Sequence, residues 1–186
     1  GNGMMGYIDI PKINVHLPIY QGIEEQALQA GVGFWPGTSL PTGGPSTHCV
    51  LTAHNGLVRA KMFTDLDQLV EGDTFSLSIL DRVLTYEVDQ ILVTEPDEVD
   101  ALQIVEGQDY VTLYTCTPYG VNTHRLLVRG HRIETPENVN LGNGAVDIIR
   151  TQSGMTVLIT LAVVGLLILL FRIWRIFRAR KKKQQT

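Results

Sequence analysis

The chain has 186 residues and a formal net charge of −4, enough for one domain with a sizeable core plus an appendage. The charge is divided: 8 basic and 19 acidic residues up to Arg150 leave that part at −11, and 7 basic residues with no acid follow it. An acidic body excludes nucleic acid as a natural partner, and two cysteines, Cys49 and Cys116, exclude a disulfide scaffold.

In chain order, short segments rich in Val, Ile, Thr, Leu and Tyr predict strands at 7–10, 16–20, 49–54, 74–80, 84–93, 110–116 and 124–133. Turn residues bound most of them, as in "LPTGGPS", "EGD", "EGQD" and "TPYG". Helical candidates are few: 24–30, a turn around 62–69, and 97–105 between Pro96 and Gly107. Many short strands at regular spacing predict an all-β barrel or sandwich over residues 1–133. Residues 134–154 lose the alternation and read as a linker.

"MTVLITLAVVGLLILLF" carries no charge over 17 residues, roughly 26 Å of helix. "RIWRIF" extends it, with Arg172 and Arg175 able to snorkel and Trp174 and Phe177 at the interface. This predicts a transmembrane helix at 155–177 and a basic tail at 178–186. The positive-inside rule puts that tail in the cytoplasm and residues 1–133 outside, on a cell membrane. No signal peptide precedes "GNGMMGYIDIP", so the start reads as removed.

Strand parity sorts the reactive residues. In "VTLYTC", Val111, Leu113 and Thr115 form one face and Thr112, Tyr114 and Cys116 the other. In "HRLLVRG", Leu126 and Val128 look inward and Arg125, Leu127 and Arg129 outward. A short loop with Pro118 and Gly120 joins the two strands. The resulting hairpin brings Cys116 and Arg125 side by side on the outer surface. In "HCVLTAH", Cys49, Leu51 and Ala53 face inward and His48, Val50, Thr52 and His54 outward. That makes Cys49 a core residue and argues mildly against a Cys49–Cys116 disulfide. His54 ends its strand beside the "NGL" turn. Singly, a histidine at a turn is a solvated residue and an outward arginine makes a surface ion pair. Together with an outward cysteine on a membrane-tethered β domain, they favour function. His48, Cys49, His54, His124 and His131 match no zinc spacing, and neither a metal nor a cofactor is expected.

"TLYTCTPYGVNTHRLLVRGHRI" resembles the active-site hairpin of sortases, "VLTAHNG" resembles their catalytic-histidine segment, and "GYIDIPKINVHLPIYQG" resembles their opening strands. The resemblance covers residues 6–133, and T-C-T-P with an arginine nine residues after the cysteine is specific. The C-terminal span with its basic end is similar to class C, the pilin-polymerising sortases of Gram-positive bacteria. The resemblance implies an eight-stranded β-barrel with a few short helices and a catalytic Cys116, His54 and Arg125. Thr115 and Thr117, which flank the cysteine, are candidates for the substrate pocket. It also implies cleavage of an L-P-x-T-G-type sorting signal on a pilin or surface protein, through a thioacyl-enzyme resolved by a pilin lysine amine. Class C enzymes carry an N-terminal lid with an Asp-Pro-aromatic motif, and this sequence has none.

Three alternatives remain at this point. A housekeeping sortase would attach surface proteins to peptidoglycan. A surface protein that is itself sorted would carry L-P-x-T-G just before its hydrophobic run, and "NLGNGAVDIIRTQSG" has none; "LPTGG" at 40–44 has the wrong order and place. A non-catalytic adhesion module would not need Cys116, His54 and Arg125 together.

Overall fold

The structure is a computed structural model that describes residues 3–57 and 60–136. The predicted span at 155–177, the tail at 178–186 and nearly all of the linker lie outside the described residues. Among the described residues no helix is long and apolar enough to cross a membrane.

Eight strands form a closed barrel: β1 (Met4–Ile10), β2 (Val15–Gln21), β3 (Val32–Phe34), β4 (Thr47–Thr52), β5 (Thr74–Ile79), β6 (Arg82–Thr94), β7 (Asp109–Thr117) and β8 (His124–Ile133). Their order around the barrel is β1-β2-β3-β4-β7-β8-β6-β5. β2–β3 and β4–β7 pair in parallel and all other neighbours antiparallel. One α-helix, α1 (Glu25–Ala30), and 3-10 turns at Pro11–Ile13, Leu66–Gln68 and Asp100–Leu102 complete the described elements.

Alternation builds the interior. Ile8, Ile10, Ile19, Leu51, Leu77, Leu113 and Val128 are all fully buried in one core, each worth about 1.5–3 kcal/mol relative to exposure. Phe75 and Tyr86 stack there with ring centroids 5.6 Å apart. Gly130 makes room for them: a Cβ on it would lie 2.7 Å from the Phe75 ring. Cys49 is buried in this core, as its parity predicts, and burial pushes its thiol far above the ordinary range.

Three expectations change. β3 was not foreseen, because three residues with a central glycine are too short to show alternation. The helix predicted over 97–105 is only the turn Asp100–Leu102, which has no fully buried residue; with Val99, Ile104 and Val105 left exposed, tertiary packing does not offset helix nucleation. The strand predicted over 49–54 starts at Thr47 and stops at Thr52, so His54 lies two residues beyond the ladder.

The outer side of β4, β7 and β8 is not bare surface. Val50, Tyr114 and Leu127 are buried in a second apolar cluster with Trp35, Leu92, Ala101 and Leu102 packed on it. Parity told inside from outside the barrel but could not show that loops cover part of the outside.

Candidate active site

β7 lies between β4 and β8. Its antiparallel register with β8 pairs Cys116 with Arg125 and Thr117 with His124. Directly opposed residues of such a pair have Cα atoms roughly 4.5–5.5 Å apart. On the other side, the parallel β4–β7 register ends at Thr52 opposite Tyr114. The Ala53 N–H still donates to the Tyr114 carbonyl (3.3 Å), so the next residue, His54, comes level with Cys116. Imidazole, thiol and guanidinium therefore come from three adjacent strand lines on one face.

Beyond the β4 ladder, side chains take over the pairing. Thr115 Oγ1 donates to the Ala53 carbonyl (2.7 Å), and Asn55 Nδ2 donates to the Cys116 carbonyl (2.8 Å). The Phe63 N–H donates to the His54 carbonyl (3.1 Å), and the Gly56 N–H donates to Thr64 Oγ1 (3.0 Å). Gly56 has φ +85°, and a Cβ there would sit 2.9 Å from the Tyr119 ring. The loop after His54 and the loop after Cys116 thus rest on one another through a glycine and an aromatic ring.

Each reactive side chain has a distinct setting. Cys116 is a half-buried free thiol. Cys49 faces the core from the other side of the sheet, so the two cysteines do not meet. The His54 ring is about one-third exposed, with Nε2 buried and, among the described residues, without a hydrogen-bond partner; Glu25 Oε2 lies at 3.8 Å. Arg125 Nη1 donates to the carbonyls of Asn122 (3.0 Å) and His124 (2.9 Å). Its own hairpin holds it by one nitrogen, and the rest of its donor fork is unused by those bonds. Burial raises the Tyr114 phenol above its ordinary value, while the neighbouring Arg125 guanidinium pulls the other way.

Thr115 and Thr117 do not share the Cys116 face. Thr115 is buried with its hydroxyl spent on Ala53. Both threonines border a cavity of about 100 Å³ between the two loops, together with Asn55, Thr64 and Tyr119. Sequence reasoning missed Asn55 and Tyr119. An Asn beside a turn histidine was a usable signal, since Asn side chains bond nearby backbone, but its partner lies 61 residues away.

Further along the outer face is a cleft of about 320 Å³, lined by Trp35, Thr38, His48, Leu102 and Gln103. His48 is its polar base. Nδ1 bonds the Gln103 carbonyl (2.9 Å) and Nε2 bonds Thr112 Oγ1 (2.7 Å), which fits a neutral ring with Nδ1–H donating. Burial lowers the pKa of this imidazole. Among the described residues no His, Cys, Asp and Glu side chains gather as a metal-ligand set.

The family model described as Sortase domain matches residues 8–133. Sortase D of Bacillus subtilis (strain 168) is 28% identical over 131 residues, covering 69% of this chain and 63% of its own length. The chain spans between 40% and 63% of the length of the curated relatives it matches. A crystal structure of sortase C1 from Streptococcus suis is 57% identical at a TM-score of 0.72, covering 73% of this chain and 76% of that one. One of Streptococcus pneumoniae sortase C, described as giving insight into pilin substrate specificity, is 51% identical at a TM-score of 0.70, covering 71% of this chain and 70% of that one.

Proposed function

The chain belongs to the sortase family, and from that premise we propose that it is a membrane-anchored cysteine transpeptidase that joins a sorting signal to a pilin lysine. The observation that carries this is the register: Cys116 opposite Arg125, with His54 arriving level from the parallel strand. The 50–58% identity to class C structures favours the pilin amine over a peptidoglycan amine as acceptor.

The Cys116 thiolate attacks the threonine carbonyl carbon of an L-P-x-T-G-type signal. His54 protonates the leaving glycine amine as the C–N bond breaks, leaving a thioester on Cys116. The lysine amine then attacks that thioester, His54 accepts its proton, and the thiolate leaves. Arg125 cannot serve as base, because its guanidinium stays protonated. It donates hydrogen bonds to the oxyanion or to the substrate backbone. Along the outer face, His48 lies six residues before His54, roughly 20 Å of strand. A five-residue extended signal spans about 17 Å, so it would fit between the cleft and the thiol. A span at 155–177 would hold the enzyme in the membrane where its substrates pause, raising their effective concentration. The domain would then face outward.

Incubation with an L-P-x-T-G peptide and mass spectrometry of the protein tests the reading. Wild type accumulates an acyl adduct at Cys116 and releases the glycine fragment, and Cys116→Ala does neither. Equal turnover by the two proteins sinks it.

A further inference from the structure

Resting on the transpeptidase reading above, we propose that Glu25 is a positioning residue for His54, holding the imidazole by Nε2 and leaving Nδ1 to trade the catalytic proton. Strand hydrogen bonds do not fix this ring. His54 lies beyond the end of β4, and the bond it makes to Phe63 comes from its backbone carbonyl. Among the described residues its Nε2 is buried and without a hydrogen-bond partner, and Glu25 Oε2 lies 3.8 Å from it. That distance exceeds a hydrogen bond but lies within ion-pair reach. A small rotation of the exposed Glu25 side chain would close it.

Glu25 is itself held. Gln29 Nε2, one turn on, donates to Glu25 Oε1 at 2.6 Å, which leaves Oε2 as the oxygen facing His54. α1 is anchored by buried Ala27 and by Leu28, whose Cδ2 would lie 2.9 Å from a Cβ on Gly33 in β3. The helix therefore approaches His54 from the β3 side of β4, while Cys116 lies on the β7 side. Across the face the order is carboxylate, imidazole, thiol, guanidinium. A carboxylate behind a histidine, on the side away from the nucleophile, orients the ring and fixes its tautomer. Among the described residues, Lys61 pairs with Asp65 at 2.7 Å, and Arg125 Nη1 bonds its own hairpin.

The test is steady-state cleavage of an L-P-x-T-G peptide by the full chain and its Glu25→Ala, Glu25→Gln and Glu25→Asp variants, with Cys116→Ala alongside. Glu25→Ala lowers kcat about 2–5-fold, the size of an exposed ion pair, with KM and Tm unchanged. Glu25→Asp recovers part of the loss. Gln29→Leu, which frees the Glu25 carboxylate, gives a smaller loss of the same sign. The gap between wild type and Glu25→Gln narrows at about 1 M salt, where the screening length contracts to about 3 Å. A helix-structural role would instead lower Tm and leave the salt response alone. A Glu25→Ala enzyme with wild-type kcat, beside a wild type that forms its Cys116 adduct, overturns this proposal alone. A wild type that forms no adduct overturns the transpeptidase reading and this proposal with it.

Discussion

Thr115→Val isolates the tie between the His54 segment and the Cys116 strand. Thr115 Oγ1 donates to the Ala53 carbonyl at 2.7 Å, and both residues are under 5% exposed. Valine keeps the volume and the branched shape, so the change removes one donor. A net hydrogen bond is worth about 0.5–1.5 kcal/mol, but here the acceptor stays buried and unpaired, which raises the cost to about 1–3 kcal/mol. For a domain of this size each kcal/mol lowers Tm by roughly 3–6 °C. The larger consequence is kinetic. Ala53 is the last residue bonded to β7 before His54, and slack of about 1 Å at a catalytic group costs up to ~10²-fold in rate. Urea unfolding and peptide-cleavage kinetics read the two effects separately. Thr115→Ser, which keeps the donor and loses a methyl, restores rate more than stability. If Thr115→Val keeps wild-type kcat/KM while losing stability, His54 is placed by other contacts. If it loses neither, the hydroxyl holds nothing.

Gly56→Ala forces an L side chain into φ +85° and against the Tyr119 ring; a loss of more than about 1 kcal/mol and slower turnover are expected. Adding Tyr119→Ala relieves the clash but not the backbone strain, so the double variant recovers part of the loss; fully additive losses in denaturation midpoints would show that the ring does not press on Gly56. His48 gives a pH dependence of stability. Its folded pKa is lowered, chiefly by burial, so below the ordinary imidazole value of about 6.5 the unfolded chain binds more protons. Stability is then full above about 6.5 and falls as pH drops below it, until the folded value is passed. Urea midpoints measured from about pH 7.5 to 5 decline less steeply in His48→Gln than in wild type, and equal slopes would refute the assignment.

Alternation in β7 and β8 was enough to place Val111, Leu113, Leu126 and Val128 in the barrel and Cys116 and Arg125 on the other face, because each strand carries its own period. The hairpin made the Cys116–Arg125 neighbourhood local, and therefore legible. The pairing of β4 with β7 was not local. It joins Thr52 to Tyr114 across 62 residues, and no pattern within either strand records its partner, so the alignment of His54 with Cys116 came only from family resemblance. The same blindness hid the Asn55 bond to Cys116 and the approach of Glu25, since both depend on which loops the barrel brings together. It also hid the second cluster, where Trp35 meets Tyr114 edge-on at 5.0 Å: a strand's outward face reads the same whether water or a loop covers it.

The placement of the site at the end of the β4 ladder has a physical consequence. Inside the barrel, backbone bonds and a full core hold every strand, and moving a residue there means opening the fold. His54 has left that regime. It is tied to β7 by the Ala53 pairing, the Thr115 hydroxyl and the Asn55 amide, and to the following loop by the Phe63 amide. Those few bonds, rather than a continuous ladder, set the position of the imidazole segment, whereas Cys116 and Arg125 face each other across the β7–β8 pair. Under the proposed transpeptidation, the nucleophile and the guanidinium would sit on that ladder and the proton carrier on a tethered segment beyond it, where one histidine would serve first a departing amine and then an arriving one.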